Sequence, residues 1–178
     1  MNDREKWNQG VAAVREAYAA LSPKLKTCLN KHAMAIRSCK KTLHLIGEGA
    51  GAGMICARCG GECCNRGKNH LTVVDLLVYL NEGKTIFTPA FEQSICPYLG
   101  EKGCRMGPEY RPYNCVTFIC ERVEDLLAPL EKERFYAIER ELRGLYEGLK
   151  KLFDSRFRHA VLSVCERAPA QSREAVAC

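Results

Sequence analysis

The segment CARCGGECCN, residues 56–65, carries four cysteines within nine positions. Its first part, Cys-x2-Cys-Gly, is typical of a metal knuckle. Two thiolates three residues apart can bind one ion, and the glycine lets the backbone turn towards the sulfurs. The adjacent Cys63 and Cys64 diverge in a helix or a strand, because neighbouring side chains point in different directions. We therefore expect the pair to serve two centres, or one of them to ligate while the other supports it.

Four further cysteines follow downstream, with irregular spacing. Eight sulfurs are enough for two closed four-cysteine zinc sites, or for one iron–sulfur cluster with sulfurs left over. The alternative is that they pack as small hydrophobic side chains, but so many thiols close together invite oxidation. The predicted metal ligands are Cys56, Cys59, Cys63, Cys64, Cys96, Cys104, Cys115 and Cys120.

These motifs, taken together, resemble the CxxCxxxCC (YkgJ-type) family of bacterial zinc- or iron-chelating proteins. The family pattern falls here on Cys56-x2-Cys59-x3-Cys63-Cys64, then Cys96-Pro97-Tyr98-Leu99, then Cys104, then Arg111-Pro112-Tyr113-Asn114-Cys115. The resemblance covers about residues 54–122 and implies metal chelation more firmly than any activity. Flagellin lysine methylases look similar around such a cysteine block, which keeps an enzymatic role open, although no separate methyl-donor site is evident.

Arg111 and Pro112 are expected to shape the approach to Cys115. Proline fixes its own φ and disfavours helix at the residue before it. The Arg111 guanidinium is predicted to donate to a ligating sulfur or a neighbouring carboxylate, which would offset concentrated negative charge. A surface salt bridge is the alternative.

Other histidines and cysteines are weaker candidates. Cys28 and His32 are four residues apart and share an apolar helix face with Cys39, which favours core packing over metal binding. His70 has better spacing for a spare ligand, but a capping or surface role is the simpler interpretation.

The elements around the cysteines are predicted to be helices, so the fold class is mainly α, with helices flanking an irregular cysteine-rich metal-binding core. Residues 1–53 form an N-terminal helical pair, broken at Ser22-Pro23, and a flexible connector, GEGAGAG. Residues 54–122 form the metal-binding domain. It includes a short helix over 72–80, capped by Thr72 with Asp75 in its first turn. Residues 123–178 form a long helix to about residue 162 and a frayed tail.

The helix faces suggest partners. In the second helix, Lys26, Arg37, Lys40 and Lys41 lie opposite the apolar face, which predicts a solvated face; nucleic-acid contact is the alternative. In the last helix, the apolar residues are Phe135, Ile138, Leu142, Leu145, Leu149 and Leu152. Their spacing predicts packing along another helix, within the chain or across a homodimer.

The composition bounds the remaining choices. The 178 residues carry a net charge of +6, with nine Lys/Arg against four acids in residues 1–55. The charged start and the lack of a long apolar run predict a cytoplasmic protein without a membrane span. In a reducing compartment, twelve cysteines favour metal ligation over a disulfide framework.

The sequence therefore predicts a metal-binding protein that chelates zinc or an iron–sulfur cluster. The Cys-x2-Cys-Gly knuckle favours zinc, whereas the vicinal pair and the irregular downstream spacing keep iron–sulfur open. An iron–sulfur enzyme of redox or methylase-like type is one alternative. A zinc-dependent nucleic-acid-binding protein is the other.

Overall fold

The computed structural model describes residues 1–59, 67–92, 96–100, 103–152 and 160–162, and these are mainly helical, as predicted. The helices are α1 Asp3–Ala19, α2 Pro23–Gly49, α3 Ala52–Arg58, α4 Val73–Asn81, α5 Tyr113–Thr117, α6 Glu121–Glu124 and α7 Pro129–Leu152. Two short antiparallel strands, β1 Leu99–Gly100 and β2 Gly103–Cys104, lie between α4 and α5. In this part of the chain no helix is apolar over a length that would cross a bilayer.

Local capping signals set several helix starts. Ser22 caps α2 through its side chain and Pro23 occupies the first turn, which confirms the predicted break. Thr72 and Asp75 form a reciprocal capping box at the start of α4, as the sequence predicts.

The glycine-rich connector is much shorter than predicted. Helix α2 continues to Gly49, and α3 begins at Ala52, so only two residues separate them. Gly51 makes the turn with a φ of +77°, a value that favours glycine. Gly47 is buried. Packing at the end of α2 therefore outweighs the low helix propensity of its glycines.

Helix α2 lies at the centre of the core. It packs along α7 and also contacts α4, α5 and the 3-10 turn Pro108–Tyr110, while α1 packs on α4. The predicted helix partner of α7 thus lies within the chain. A Cβ on Gly148 would lie 3.2 Å from His32 Nε2, so this glycine permits the close approach of the two helices.

The last helix does not reach residue 162 as predicted. Helix α7 is described to Leu152, residues 153–159 lie outside the described ranges, and Ala160 pairs with Thr72 in an isolated antiparallel bridge. The Val161 amide donates to the Leu71 carbonyl at 2.9 Å. Val161 and Leu162 are buried, so apolar burial beside the start of α4 and against α1 takes the place of the predicted α-helix here.

The predicted solvated face of α2 is wrong at Lys40. Lys41 is exposed, and Lys26 and Arg37 are half-buried, but Lys40 is fully buried. Its Nζ donates to Asp75 Oδ1 at 2.8 Å and to the Arg111 carbonyl at 2.7 Å. A lysine is found in a core when its charge is paired, as it is here.

Candidate metal centre

The first group of predicted ligands lies in α3 and in or beside the elements that contact it. Cys56 lies within α3 and Cys59 ends it, and the Cys59 thiol donates to the Cys56 carbonyl at 3.4 Å. Helix α3 contacts β2, which carries Cys104, and α6, which Cys120 precedes as N-cap residue. Helix α3 therefore contacts two segments, distant from it in the sequence, that carry or adjoin further predicted ligands.

The second group surrounds the 3-10 turn Gly67–Asn69. Gly67 packs against Cys96 Sγ so closely that a Cβ at this position would overlap the sulfur. The turn closes with a hydrogen bond of 3.1 Å from the His70 amide to the Gly67 carbonyl. His70 Nδ1 lies 3.3 Å from Cys115 Sγ. One turn thus contacts two predicted ligands, one at each end.

Burial shifts the pKa values of two side chains near these sulfurs, His70 and Tyr98. It lowers the pKa of His70, which favours the neutral imidazole that binds metals. Tyr98 is 1% exposed, and its hydroxyl has no hydrogen-bond partner within the described ranges. Burial raises the pKa of Tyr98, and negative charge on Cys96 and then on Asp75 and Cys115 raises it further. A buried O–H donor therefore remains unsatisfied near two thiols.

The described side chains do not complete a metal site. In residues 1–59, 67–92, 96–100, 103–152 and 160–162, no three Cys, His, Asp or Glu side chains converge closely enough to hold an ion. Two of the eight predicted ligands, Cys63 and Cys64, lie outside these ranges. The full ligand set stays a prediction.

Arg111 is held by contacts that the sequence did not suggest. Its Nε donates to the Met106 carbonyl at 3.3 Å, and Nη1 lies 3.4 Å from His44 Nδ1. Its own carbonyl accepts from Lys40, which anchors the segment leading to Cys115. The contact of its guanidinium with a ligating sulfur stays a prediction.

The cysteines of α2 belong to the core, as predicted. Cys28 and Cys39 are both buried. Cys28 is disulfide-bonded, which departs from the expectation that the cysteines of this chain are thiols. Burial, together with the charge of Glu141, raises the pKa of Cys39 to about 11, so this residue remains an uncharged thiol at neutral pH.

An open pocket of about 300 Å³ lies beside α7. Its lining residues are Tyr113, Arg143, Tyr146, Glu147 and Lys150. Tyr113 belongs to α5, two residues before Cys115, but no cysteine lines the pocket. Its lining has charges of both signs and identifies no substrate class.

Comparison of the chain with protein-family models, with curated proteins and with solved structures found no match. The resemblance to the CxxCxxxCC family therefore stays a prediction based on the motifs alone.

Proposed function

We propose that this chain is a metal-binding protein whose cysteine-rich middle, residues 54–122, chelates zinc or an iron–sulfur cluster. The observation that supports the proposal best is the contact of α3 with β2 and with α6. These contacts join the segments that carry or directly adjoin Cys56, Cys104 and Cys120, three of the predicted ligands. Cys56 is exposed and Cys104 and Cys120 are half-buried, so these three cysteines do not pack as fully buried core side chains.

The surroundings of the second cysteine group also suit a metal. Thiolates suit both zinc and iron–sulfur clusters, but several of them together concentrate negative charge. The Tyr98 hydroxyl, which has no hydrogen-bond partner in the described part of the chain, is a buried polar group on which negative charge at Cys96 acts. A bound metal would also cross-link segments that are distant in the sequence, and so contribute to folding.

The direct test is purification without oxygen, followed by a visible spectrum and by measurement of zinc, iron and sulfide per chain. We expect a stoichiometric metal and a lower melting temperature after treatment with a chelator. A colourless protein with two zinc ions would support two closed sites. A brown protein with iron and sulfide would assign a cluster.

Two variants make the test specific. Cys104→Ser should lower the metal content, because it removes a predicted ligand. Cys39→Ser is the matched control, since Cys39 is a buried cysteine outside the predicted set; it should lower stability but leave the metal content unchanged. Absence of stoichiometric metal, with identical melting curves before and after chelation, would overturn the proposal.

A further inference from the structure

We propose that His70 is a metal ligand, and that it binds the same ion as Cys115 in a mixed imidazole–thiolate centre. This inference rests on the proposed metal-binding function and adds to it a ligand outside the cysteine set. It also distinguishes this centre from the cysteines around α3.

The distance between the two side chains suits shared coordination. His70 Nδ1 lies 3.3 Å from Cys115 Sγ. With ordinary Zn–N and Zn–S bond lengths, two ligands at corners of a tetrahedral zinc site lie about 3.5 Å apart. If the two side chains moved apart by a few tenths of an ångström, both atoms could bind one zinc ion.

A buried network holds the two ligands at this separation. On the His70 side, the Thr72 amide and hydroxyl donate to Asp75 Oδ2 at 2.9 and 2.7 Å. On the Cys115 side, Lys40 joins Asp75 to the Arg111 carbonyl. Both arms converge on one carboxylate, so the site is preorganised by residues that do not themselves touch the metal.

Further contacts extend the centre beyond the pair. The 3-10 turn Gly67–Asn69, which immediately precedes His70, also packs on Cys96 Sγ through Gly67. Tyr98 is fully buried and its hydroxyl has no acceptor in the described part of the chain. Cys96 and Cys115 both act electrostatically on that hydroxyl. Negative charge on a metal-bound thiolate at either position would therefore act on this buried hydroxyl.

The chemical consequence concerns metal choice. Structural zinc sites commonly combine cysteine and histidine, whereas clusters of the ferredoxin type are held by four thiolates. A histidine ligand therefore favours zinc at this centre.

The test is X-ray absorption at the zinc edge, on the full chain stripped of metal and then loaded with zinc. We expect the wild-type spectrum to show a nitrogen ligand at about 2.0–2.1 Å with the outer-shell scattering of an imidazole ring. His70→Ala should lose that scattering and bind zinc at least about tenfold more weakly. His44→Ala is the matched control; it should keep both, because His44 contacts Arg111 rather than a cysteine.

Other outcomes separate this inference from the proposed function. If the zinc ions have only sulfur ligands, or if His70→Ala leaves the spectrum unchanged, the inference is overturned while the metal-binding function stands. If no zinc binds to the wild type, the proposed function fails and the inference with it. His70→Cys is a second variant for the case in which His70→Ala does not fold. It should retain zinc and lose only the imidazole signal.

Discussion

Lys40 Nζ lies 2.8 Å from Asp75 Oδ1, and neither side chain has any solvent exposure. The Asp75 carboxylate also accepts from the Tyr146 hydroxyl at 2.5 Å and from the amide and hydroxyl of Thr72. The lysine reaches the Arg111 carbonyl as well. Through these hydrogen bonds the Lys40–Asp75 pair links α2, α4 and α7 to the segment that precedes Cys115.

Removing one partner of this ion pair should be strongly destabilising. Lys40→Met would leave the Asp75 charge buried without its cation, and such changes cost about 3–5 kcal/mol. Urea unfolding at neutral pH measures the change. The matched control is Lys41→Met at the next, exposed position, where we expect a change within about 0.5 kcal/mol. Similar losses of unfolding free energy in both variants would show that the buried ion pair contributes no more to stability than an exposed lysine.

The tyrosine that completes the pair can be tested by deleting one oxygen. Tyr146→Phe removes a donor to a buried carboxylate and should lower the unfolding free energy by about 1.5–3 kcal/mol. Tyr136→Phe makes the same change where the hydroxyl donates to Glu124 at 2.7 Å in a more exposed setting. We expect a clearly smaller loss there. Urea unfolding measures both variants. Equal losses of unfolding free energy would contradict the greater contribution expected of the buried hydrogen bond.

Two glycine substitutions test the position of residues 160–162. A Cβ on Gly10 would lie 2.5 Å from the Val161 carbonyl oxygen, whereas one on Gly144 would meet nothing within 4 Å. Alanine normally stabilises a helix interior by about 1 kcal/mol relative to glycine. Gly144→Ala should therefore raise the melting temperature, and Gly10→Ala should lower it. A rise in both variants would mean that the chain does not pack on Gly10.

The close packing of the turn Gly67–Asn69 on Cys96 leads to a prediction about zinc affinity. Gly67→Ala would place a methyl group against Cys96 Sγ and displace the sulfur. We expect zinc affinity to fall about 10–100-fold, as for other changes to the support of a ligand. Gly49→Ala, where a Cβ meets nothing within 4 Å, should leave affinity unchanged. Competition with a chromophoric chelator measures both variants, and an unaltered affinity in Gly67→Ala would exclude Cys96 as a ligand.

Glu139 should make stability depend on acid pH. Burial opposes ionisation, but hydrogen bonds from Arg143 and Tyr113 outweigh it and lower the pKa of Glu139 below its ordinary value. A carboxylate with a lowered folded pKa contributes stability above its unfolded pKa and loses it as pH falls through the folded pKa. The advantage of wild type over Glu139→Gln should therefore be present at neutral pH and disappear under acid conditions.

The size of this effect should be modest. The Arg143 side chain is 65% exposed, so solvent screens the pair and we expect only a small contribution to the unfolding free energy. Unfolding free energies measured from neutral pH to about pH 3 would show the loss, and salt at roughly 1 M should reduce the arginine contribution. An advantage that grows on acidification would contradict the assignment.

Local signals in the sequence were enough to locate several helices. Ser22-Pro23 and the Thr72–Asp75 capping box act within one turn of backbone, so their effect can be read from neighbouring residues. The apolar spacing of α7 likewise predicted a helix partner, because period and helix geometry are linked. Metal binding by the cysteine block is a prediction of the same kind, based on spacing.

Tertiary contacts decided the features that spacing could not. Lys40 is on the polar side of its helix by sequence, yet it is buried because Asp75 and the Arg111 carbonyl meet it from other elements. Val161 leaves the predicted helix because the surface beside Leu71 can bury it. The approach of His70 to Cys115 depends on the same long-range packing. A sequence pattern reports what one element prefers, whereas the neighbour that satisfies a buried charge or a thiol is fixed only when the elements meet.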